Sequence, residues 1–374
     1  MDTSIQTDRL HLGRAIELAD RGRGRVSPNP LVGAVIVRDG AVVGEGHHAM
    51  YGAPHAEVAA IASAKAEDLR GATLYVSLEP CCHHGKTPPC TEAIAAAGIT
   101  RVVVGSDDPS EHAAGRGLGI LRDEGIAVEL ETGELAACAR RLNQPFRKHA
   151  RTGRPHVVLK AAMSLDGKVA TESGDSKWIS GESSRARAHA WRAESDAIAV
   201  GIGTALADDP QLTARGEQAA RQPRRVVFDS LGRLPVQSQL VRSAQEVGLT
   251  VVVSRAAPRS ATGALTSAGA EVIVATGENE PARVRSALAQ LGAQGVTSIL
   301  LEGGPRLAGA FLDAAEIDEL RLFLAPIVLG GRSARDPIEG EGREKVAEAV
   351  RALGPPSAES LGDDVLISAR LREW

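Results

Sequence analysis

Two short segments in the first quarter of the chain carry the residue types of a catalytic metal site. Residues 54–57 read Pro-His-Ala-Glu, and residues 79–90 read Glu-Pro-Cys-Cys-His-His-Gly-Lys-Thr-Pro-Pro-Cys. A catalytic zinc uses three protein ligands and keeps its fourth position open for a water, whose pKa the metal lowers towards neutrality. A nearby carboxylate can then move protons. The segments supply one imidazole, two thiols and one carboxylate for this chemistry: His55, Cys81, Cys90 and Glu57.

The order of these residues indicates the reaction type. His-x-Glu followed by Pro-Cys and a second Cys is typical of zinc enzymes that deaminate a pyrimidine or purine ring. Both segments are expected to lie where a helix begins, and a helix N-terminus favours the thiolate form of Cys90. Because His55 and Glu57 are two residues apart, they point in different directions on a helix. One can therefore bind the metal while the other faces substrate.

A structural zinc is the alternative use of the same segment. It would draw on neighbouring side chains, but adjacent residues rarely converge on one ion and structural sites usually show paired short spacers. Chemistry alone leaves open whether Cys81 or Cys82 is the ligand, and the Pro-Cys order favours Cys81. Cys138 is expected to be a small buried apolar residue. The residues that a structural site would use are Cys81, Cys82, His83, His84 and Cys90.

The composition describes a globular protein without an affinity for polyanions. The 374 residues carry a formal net charge of -4, and only 2% are aromatic, so few side chains could stack unpaired bases. The first residues lack a basic stretch followed by an apolar core, and no apolar run approaches the ~20 residues that span a bilayer. The four cysteines do not form a disulfide framework. We therefore expect a cytoplasmic protein with no nucleic-acid or membrane partner.

Strands that alternate with helices predict two α/β domains in sequence. In the first half, helices are expected over 10–19, 55–64, 90–97 and 118–124, with strands over 32–37, 41–44, 73–77, 101–104 and 127–130. The polar and basic segment 143–154 marks the join, and a new strand starts at 157. We expect the domains to span residues 1–148 and 149–374, each with a mostly parallel sheet.

Several separated motifs resemble the bifunctional deaminase/reductase family of riboflavin biosynthesis. Residues 27–33 read Ser-Pro-Asn-Pro-Leu-Val-Gly, and eight residues separate Cys81 from Cys90 where deaminases usually have two. The resemblance implies a cytidine-deaminase-like three-layer domain that holds one zinc ion per chain. It also implies that Asn29, His48 and Lys86 contact the substrate. Turn structure is the plain alternative for Asn29, and loop polarity is the plain alternative for Lys86.

In the second half, residues 299–310 predict a strand, a Gly-Gly-Pro loop and a helix. Glycines after a strand let the backbone approach a phosphate, and the helix presents free amides to it. The loop is not a Gly-x-Gly-x-x-Gly fingerprint, so a Rossmann fold is not indicated. Alone, such a loop is more often only a turn. Segments 160–168, 176–180, 203–213 and 228–230 resemble the reductase half of the same family.

That resemblance implies a dihydrofolate-reductase-like domain that uses NADPH. Lys160 would polarise the substrate near the reacting carbon. The sequence shows no obvious catalytic acid in this half, and Ala162 stands where relatives often have Gly. Core packing, turn formation and a solvated charge are the plain alternatives for Trp178, Asp208 and Arg192. The implied cofactor contacts are Ala162, Ser176, Trp178, Thr204, Asp208, Ser230, Gly304, Pro305, Arg306, Leu307, Ala308, Gly309 and Ala310, and the implied substrate contacts are Arg192, Leu212, Arg215 and Glu302.

The resemblance implies two consecutive reactions on a pyrimidine ribosyl phosphate. The first half would hydrolytically deaminate 2,5-diamino-6-(5-phosphoribosylamino)pyrimidin-4-one, with Glu57 carrying a proton to the leaving ammonia. The second half would reduce the ribosyl group to ribityl with hydride from NADPH. We also expect a homo-oligomer. The rivals are a nucleoside or tRNA deaminase with an accessory domain, which would need a basic stacking surface, and a non-catalytic zinc-stabilised module, which would not need Glu57.

Overall fold

A computed structural model describes residues 3–84, 88–216 and 221–374. Its contacts divide the chain into two compact units, Met1–Thr152 with Trp374, and Gly153–Glu373. The division lies after Thr152, inside the polar segment 143–154, and the expected domain bounds of 1–148 and 149–374 stay a prediction. Among the described residues, no helix is both long and apolar enough to span a membrane.

The first unit contains a five-stranded sheet with the order β2-β1-β3-β4-β5. Strand β1 pairs antiparallel with β2 and β3, whereas β3, β4 and β5 run parallel. The sheet is therefore mixed, which corrects the expectation of a mostly parallel one, because the β1–β2 hairpin reverses the chain at Asp39 and Gly40. The strands are β1 (Gly33–Arg38), β2 (Ala41–His47), β3 (Thr73–Val76), β4 (Arg101–Val104) and β5 (Ala127–Leu130).

Helices cover both faces of this sheet and make three layers. On one face, Leu12 and Leu18 pack against Val35 and Val103. On the other face, Ile36 and other alternate strand residues pack against the helices that carry the reactive segments. Successive side chains of a strand point to opposite faces of the sheet, so both faces of this sheet are buried. The helices are α1 (Thr3–Asp20), α2 (Ala56–Ser63), α3 (Ala66–Leu69), α4 (Cys90–Ala96), α5 (Arg116–Asp123), α6 (Glu134–Leu142) and α7 (Gln144–Thr152).

The second unit contains a nine-stranded sheet with the order β10-β9-β8-β7-β11-β6-β12-β14-β13. The seven strands from β10 to β12 run parallel, and β14 and β13 add an antiparallel hairpin at one side. All seven parallel strands therefore end at one edge of the sheet. The strands are β6 (His156–Met163), β7 (Ala197–Gly201), β8 (Arg224–Phe228), β9 (Leu249–Val253), β10 (Glu271–Val274), β11 (Ser298–Leu301), β12 (Glu319–Leu324), β13 (Ser357–Leu361) and β14 (Asp364–Arg370).

Alternate residues of these strands face two different helical layers. Val157, Ala197 and Val226 belong to the core cluster that includes Leu288 and Phe311. The residues between them face the opposite layer, where further buried clusters form. The parallel sheet is therefore buried on both faces, as expected for an α/β unit. Its helices are α8 (Glu182–Glu194), α9 (Ile202–Asp208), α10 (Gln239–Arg242), α11 (Arg259–Ser267), α12 (Glu280–Ala293) and α13 (Pro305–Asp313), with a short 3₁₀ helix at Val346–Glu348.

Candidate active sites

Three side chains of the first unit converge as a metal-binding triad. His55 lies immediately before α2, Cys90 is the first residue of α4, and Cys81 follows β3. Their ligand atoms all lie within 4.8 Å of one another. The Nδ1 atom of His55 is 3.3 Å from Sγ of Cys90 and 3.4 Å from Sγ of Cys81. A tetrahedral zinc with ordinary bond lengths would separate such donors by roughly 3.6 Å, so the triad fits that ion.

The amide at the start of α4 stabilises a thiolate. The N–H of Cys90 donates to Sγ of Cys81 at 3.3 Å. Hydrogen bonding from Cys90 and His55 lowers the pKa of the Cys81 thiol to about 4, although burial acts against it. A hydrogen bond between the two thiols, together with burial, raises the pKa of Cys90. The N–H at the start of α4 is therefore directed at Sγ of Cys81, and the expectation that the helix start favours the thiolate of Cys90 stays a prediction.

Glu57 lies in the first turn of α2 and is only 3% exposed. Burial raises the pKa of this carboxyl to about 7, and the Cys81 thiolate adds to that shift. The carboxyl also lies within hydrogen-bonding reach of Cys90. A buried carboxyl whose pKa is near neutrality can both take up and release a proton.

Glu79 holds the loop that carries Cys81. Its side chain is buried and accepts hydrogen bonds from the backbone N–H groups of Asp108, Gly115 and Gly117 at 3.3, 3.0 and 3.1 Å. Three backbone donors fix one carboxylate, so the following Pro-Cys pair is held against a second loop. The sequence did not reveal Glu79, because its partners lie 29, 36 and 38 residues downstream. An acid directly before Pro-Cys was the available signal.

Asn29 and His48 form a hydrogen-bonded pair beside the metal-binding triad. Nδ2 of Asn29 is 3.1 Å from Nε2 of His48, and Nδ1 of His48 is 3.1 Å from the carbonyl oxygen of Pro54. The His48 and His55 rings lie 5.5 Å apart, edge to face. Burial lowers the pKa of His48 and so favours the neutral ring. The third expected substrate contact, Lys86, lies outside the described residues.

The second unit holds a cavity of about 1250 Å³ along the edge where its parallel strands end. A smaller cavity of about 270 Å³ shares Lys160, Ala162 and Ser176 with it. The large cavity brings together most of the expected cofactor contacts. The expected cofactor contacts that line the large cavity are Ala162, Ser176, Thr204, Asp208, Ser230, Gly304, Pro305, Arg306, Leu307, Ala308 and Ala310.

The loop between β11 and α13 leaves room for a ligand's phosphates. Gly304 has φ +51°, and a Cβ there would lie 3.2 Å from Oγ1 of Thr204. A Cβ at Gly303 would meet the backbone of Val200 at 2.6 Å. Side chains are thus excluded just before α13 begins, and residues 304–308 at its start line the cavity. This arrangement fits the diphosphate of a dinucleotide cofactor.

A buried ion triad lies at the junction of the two cavities. The side chain of Glu302 is only 5% exposed, and its carboxylate binds Arg192 at 2.6 and 2.8 Å and Lys160 at 3.5 Å. Burial alone would raise the pKa of Glu302, but Lys160 and Arg192 outweigh it and lower the pKa to about 2. The two cations are therefore fixed by protein contacts, and their remaining N–H groups can face a substrate.

The other expected residues lie around these cavities. Trp178 lines the smaller cavity, and its side chain is 75% exposed. Its backbone φ is +69°, and the Arg185 guanidinium lies over its ring, 4.7 Å from the ring centre. Leu212 is buried in the core, and Arg215 donates to Gln211 at 2.8 Å; neither residue lines the large or the small cavity. At Gly309, a Cβ would meet the carbonyl of Glu339.

Two protein families match this sequence. The family described as the cytidine and deoxycytidylate deaminase zinc-binding region matches residues 5–106. The family described as the RibD C-terminal domain matches residues 155–367. The matches cover both units and confirm the expected fold class, a deaminase-like domain followed by a reductase domain.

Individual relatives align over nearly the whole chain. The riboflavin biosynthesis protein RibD of Actinobacillus pleuropneumoniae is 43% identical over 96% of this chain and 94% of its own length. That of Escherichia coli K12 is 41% identical over 93% of this chain and 97% of its own. Both alignments therefore span both units.

Solved structures of two similar proteins also match this chain over both units. RibD of Acinetobacter baumannii superposes with a TM-score of 0.85 at 37% identity, covering 98% of this chain and 99% of that one. A diaminohydroxyphosphoribosylaminopyrimidine deaminase/5-amino-6-(5-phosphoribosylamino)uracil reductase from Thermotoga maritima superposes with a TM-score of 0.83 at 36% identity, with the same coverage.

Proposed function

This chain belongs to the RibD family of bifunctional riboflavin-biosynthesis enzymes, and we propose the substrates and the residues through which its two units act. It is an enzyme with a zinc-dependent deaminase domain and an NADPH-dependent reductase domain. We assign 2,5-diamino-6-(5-phosphoribosylamino)pyrimidin-4-one to the deaminase and its deaminated product to the reductase. The observation that carries the assignment is the convergence of His55, Cys81 and Cys90 beside the buried Glu57.

In the deaminase, His55, Cys81 and Cys90 would hold the zinc ion. The ion supplies an activated water for attack on the amino-bearing ring carbon. Glu57 would accept a proton from the attacking water and deliver it to the amino nitrogen. The carbon–nitrogen bond then breaks, ammonia leaves and the ring keeps the oxygen. The enclosed position of Glu57 supports this role, because a carboxyl removed from bulk water can exchange protons near neutral pH.

Asn29 would orient the pyrimidine in the deaminase. The carbonyl of Pro54 accepts from Nδ1 of His48, so Nε2 of that neutral ring accepts from Asn29. One of the two N–H donors of Asn29 is thereby used, and its Oδ1 can accept a hydrogen bond from a substrate N–H. We retain His48 and Lys86 as proposed members of the substrate pocket.

In the reductase, the glycine loop and α13 would hold the diphosphate of NADPH, which supplies the hydride. Glu302 fixes Lys160 and Arg192 at the junction of the two cavities. Lys160 would polarise the ribosyl group near its C1 atom, where reduction would replace the bond to the ring oxygen by a bond to hydrogen while that oxygen takes up a proton. Arg192 would hold the phosphate end of the substrate, and we retain Leu212 and Arg215 as proposed contacts.

We further propose that the reactions occur in the cytoplasm and that the chain self-associates. All four cysteines are free thiols, which fits a reducing compartment. The product of the first reaction is the substrate of the second, so one polypeptide can serve consecutive steps.

The assignment is tested by incubating the purified chain with the diamino ribosylamino pyrimidine phosphate and following products by mass spectrometry. Without NADPH, we expect only replacement of the amino group by oxygen. With NADPH, we expect further addition of a hydride and a proton. Reduction without prior deamination, or no turnover of this compound by a zinc-loaded protein, would contradict the proposed substrate order.

A further inference from the structure

The large cavity follows the carboxyl edge of the second sheet from its centre to its β10 side. Lys160 and Glu302 lie at the β6 and β11 positions, whereas Ser254 and Ala275 follow β9 and β10. Neighbouring strands lie ~4.8 Å apart, so the edge from β6 to β8 or β9 extends roughly 14 to 19 Å. The cavity is thus a groove with two distinct ends.

The ion triad fixes which end holds the reacting part of a dinucleotide. Lys160 also lines the smaller cavity with Arg192, so the substrate and the nicotinamide must meet near β6 and β11. The glycine loop before α13 takes the diphosphate between the two ends. The adenosine half then extends to the loops that follow β8 and β9.

The loop after β8 has a fixed shape. Oδ2 of Asp229 accepts the N–H of Leu234 at 2.8 Å, and the carbonyl of Asp229 accepts the N–H of Gly232 at 3.1 Å. The neighbouring loop is tied to it, because Oγ of Ser254 donates to the carbonyl of Ser230 at 2.8 Å. Residues 230–233 are therefore presented at the groove by a rigid turn.

Arg233 is the cation that this turn presents. Its side chain is 57% exposed, and its Nε lies 3.8 Å from Oδ1 of Asp229, which is too long for a hydrogen bond. By contrast, Arg306 lies 3.2 Å from Glu280 at the diphosphate position. Arg233 therefore lines the groove, and its N–H groups make no hydrogen bond to Asp229.

Asp229, the acid beside Arg233, is placed where it cannot bind the 2′-hydroxyl of an unphosphorylated ribose. In dinucleotide sites an accessible carboxylate at the adenosine end binds the ribose 2′-hydroxyl, whereas an arginine accommodates a 2′-phosphate. Asp229 is fully buried and its Oδ2 faces the amide of Leu234, so it cannot reach a ribose hydroxyl. The exposed group at this position is the guanidinium.

We propose that Arg233 binds the 2′-phosphate of NADPH and thereby sets the preference of the reductase for NADPH over NADH. The inference rests on the proposed reductase function of this cavity. A guanidinium can donate two parallel hydrogen bonds to a phosphate, which a lysine or a neutral side chain cannot. NADH offers no group at this point, so Arg233 contributes to the binding of one cofactor only.

The test measures the Kd of the full-length chain for NADPH, NADH and 2′,5′-ADP by titration calorimetry. Arg233→Gln is expected to raise the Kd for NADPH and for 2′,5′-ADP by ~10–100-fold, which is the scale of a lost charge-assisted hydrogen bond. The Kd for NADH is expected to stay unchanged. Arg233→Lys keeps the charge without the bidentate geometry and is expected to lose less. Arg255→Gln is a matched control, because Arg255 is exposed on the neighbouring loop and does not line the cavity.

Arg283 is the rival residue, because it lines the same cavity from α12. A selective loss of NADPH binding in Arg283→Gln or Arg255→Gln, but not in Arg233→Gln, would overturn the inference. Equal losses for NADPH and NADH in Arg233→Gln would also overturn it, as would a wild-type chain that binds both equally. A wild-type chain that binds no nicotinamide nucleotide would instead overturn the proposed reductase site itself.

Discussion

The deaminase site and the reductase site differ in size, because their functional residues are spread over very different distances. In the first unit the metal-ligand atoms lie within 4.8 Å of one another, with Glu57 buried beside them. In the second unit the corresponding residues line a cavity of about 1250 Å³ along the ends of parallel strands. The first site is a compact set of reactive side chains, whereas the second is a surface that positions a cofactor carrying its own reactive group.

This difference predicts how each site responds to substitution. Removing one reactive side chain from a compact site should abolish its step. Altering one position along a cofactor groove should weaken binding by an amount that other contacts limit. The following changes test that contrast, from the largest expected effect to the smallest.

Glu57→Gln is expected to reduce deamination by at least ~10²–10⁴-fold, the usual contribution of general acid–base catalysis. Glutamine keeps the size of the side chain but cannot exchange a proton at neutral pH. Zinc content, measured by metal analysis, should be unchanged because His55, Cys81 and Cys90 remain. Reduction of the already deaminated compound should be near normal. Near-normal deamination by this variant would refute the mechanism, and loss of zinc would place Glu57 in the metal's supporting shell.

Arg192→Leu is expected to destabilise the reductase unit by ~3–5 kcal/mol, because it leaves the buried Glu302 with Lys160 as its remaining cationic partner in the triad. The measurement is urea unfolding of the full chain, following the transition that NADPH shifts. Arg306→Leu is the matched control, since its exposed pair with Glu280 should contribute no more than ~1 kcal/mol. Equal losses from both variants would contradict the role of the buried triad.

The same triad predicts acid sensitivity. A carboxyl whose folded-state pKa is lowered stabilises the fold above its unfolded pKa and loses that contribution as the pH falls through the folded value. For Glu302 the window runs from its ordinary 4.5 down to about 2. The unfolding free energy of the reductase unit should therefore fall across this range, and Glu302→Gln should flatten the dependence. An unchanged acid profile in Glu302→Gln would show that the triad does not control it.

Gly304→Val is expected to weaken NADPH binding by ~1–3 kcal/mol and to leave deamination intact. Gly304 has φ +51° at the start of α13, so a branched side chain strains the backbone where phosphates are expected. Gly295→Val provides the control, because that glycine has φ +84° with open space around it. The control should lower stability without changing the Kd for NADPH, and a Gly304→Val protein of normal affinity would remove the loop from the site.

The sequence predicted the metal-binding triad because an imidazole, two thiols and a carboxylate in that order are typical of a catalytic zinc site. It did not reveal Glu79, whose three amide partners come together only in the fold. It also did not reveal α7, because the segment 144–152 has the composition of a polar connection. In the structure, Asn143 binds the backbone of Leu31, and Arg147 binds Asp107. Composition cannot show that such polar side chains face inward.

The second unit was less predictable for a related reason. Its cofactor contacts came from resemblance rather than from reactive residue types, since hydride transfer requires few ionisable groups. The strands β13 and β14 were missed because short segments such as Ser357–Leu361 carry little apolar alternation. The position of Arg233 became apparent only when the order of strands showed which loop lies at the adenosine end.

The two reactions belong, on this account, to two chemically independent sites. The most direct measurement removes zinc with a chelator and then assays both half-reactions and the Kd for NADPH on the same protein. We predict that deamination falls by at least ~10²-fold and returns with added zinc. We also predict that reduction of the deaminated compound and NADPH affinity stay unchanged. Loss of both reactions together would contradict the independence of the two sites, and deamination that persists without zinc would contradict the zinc-dependent mechanism.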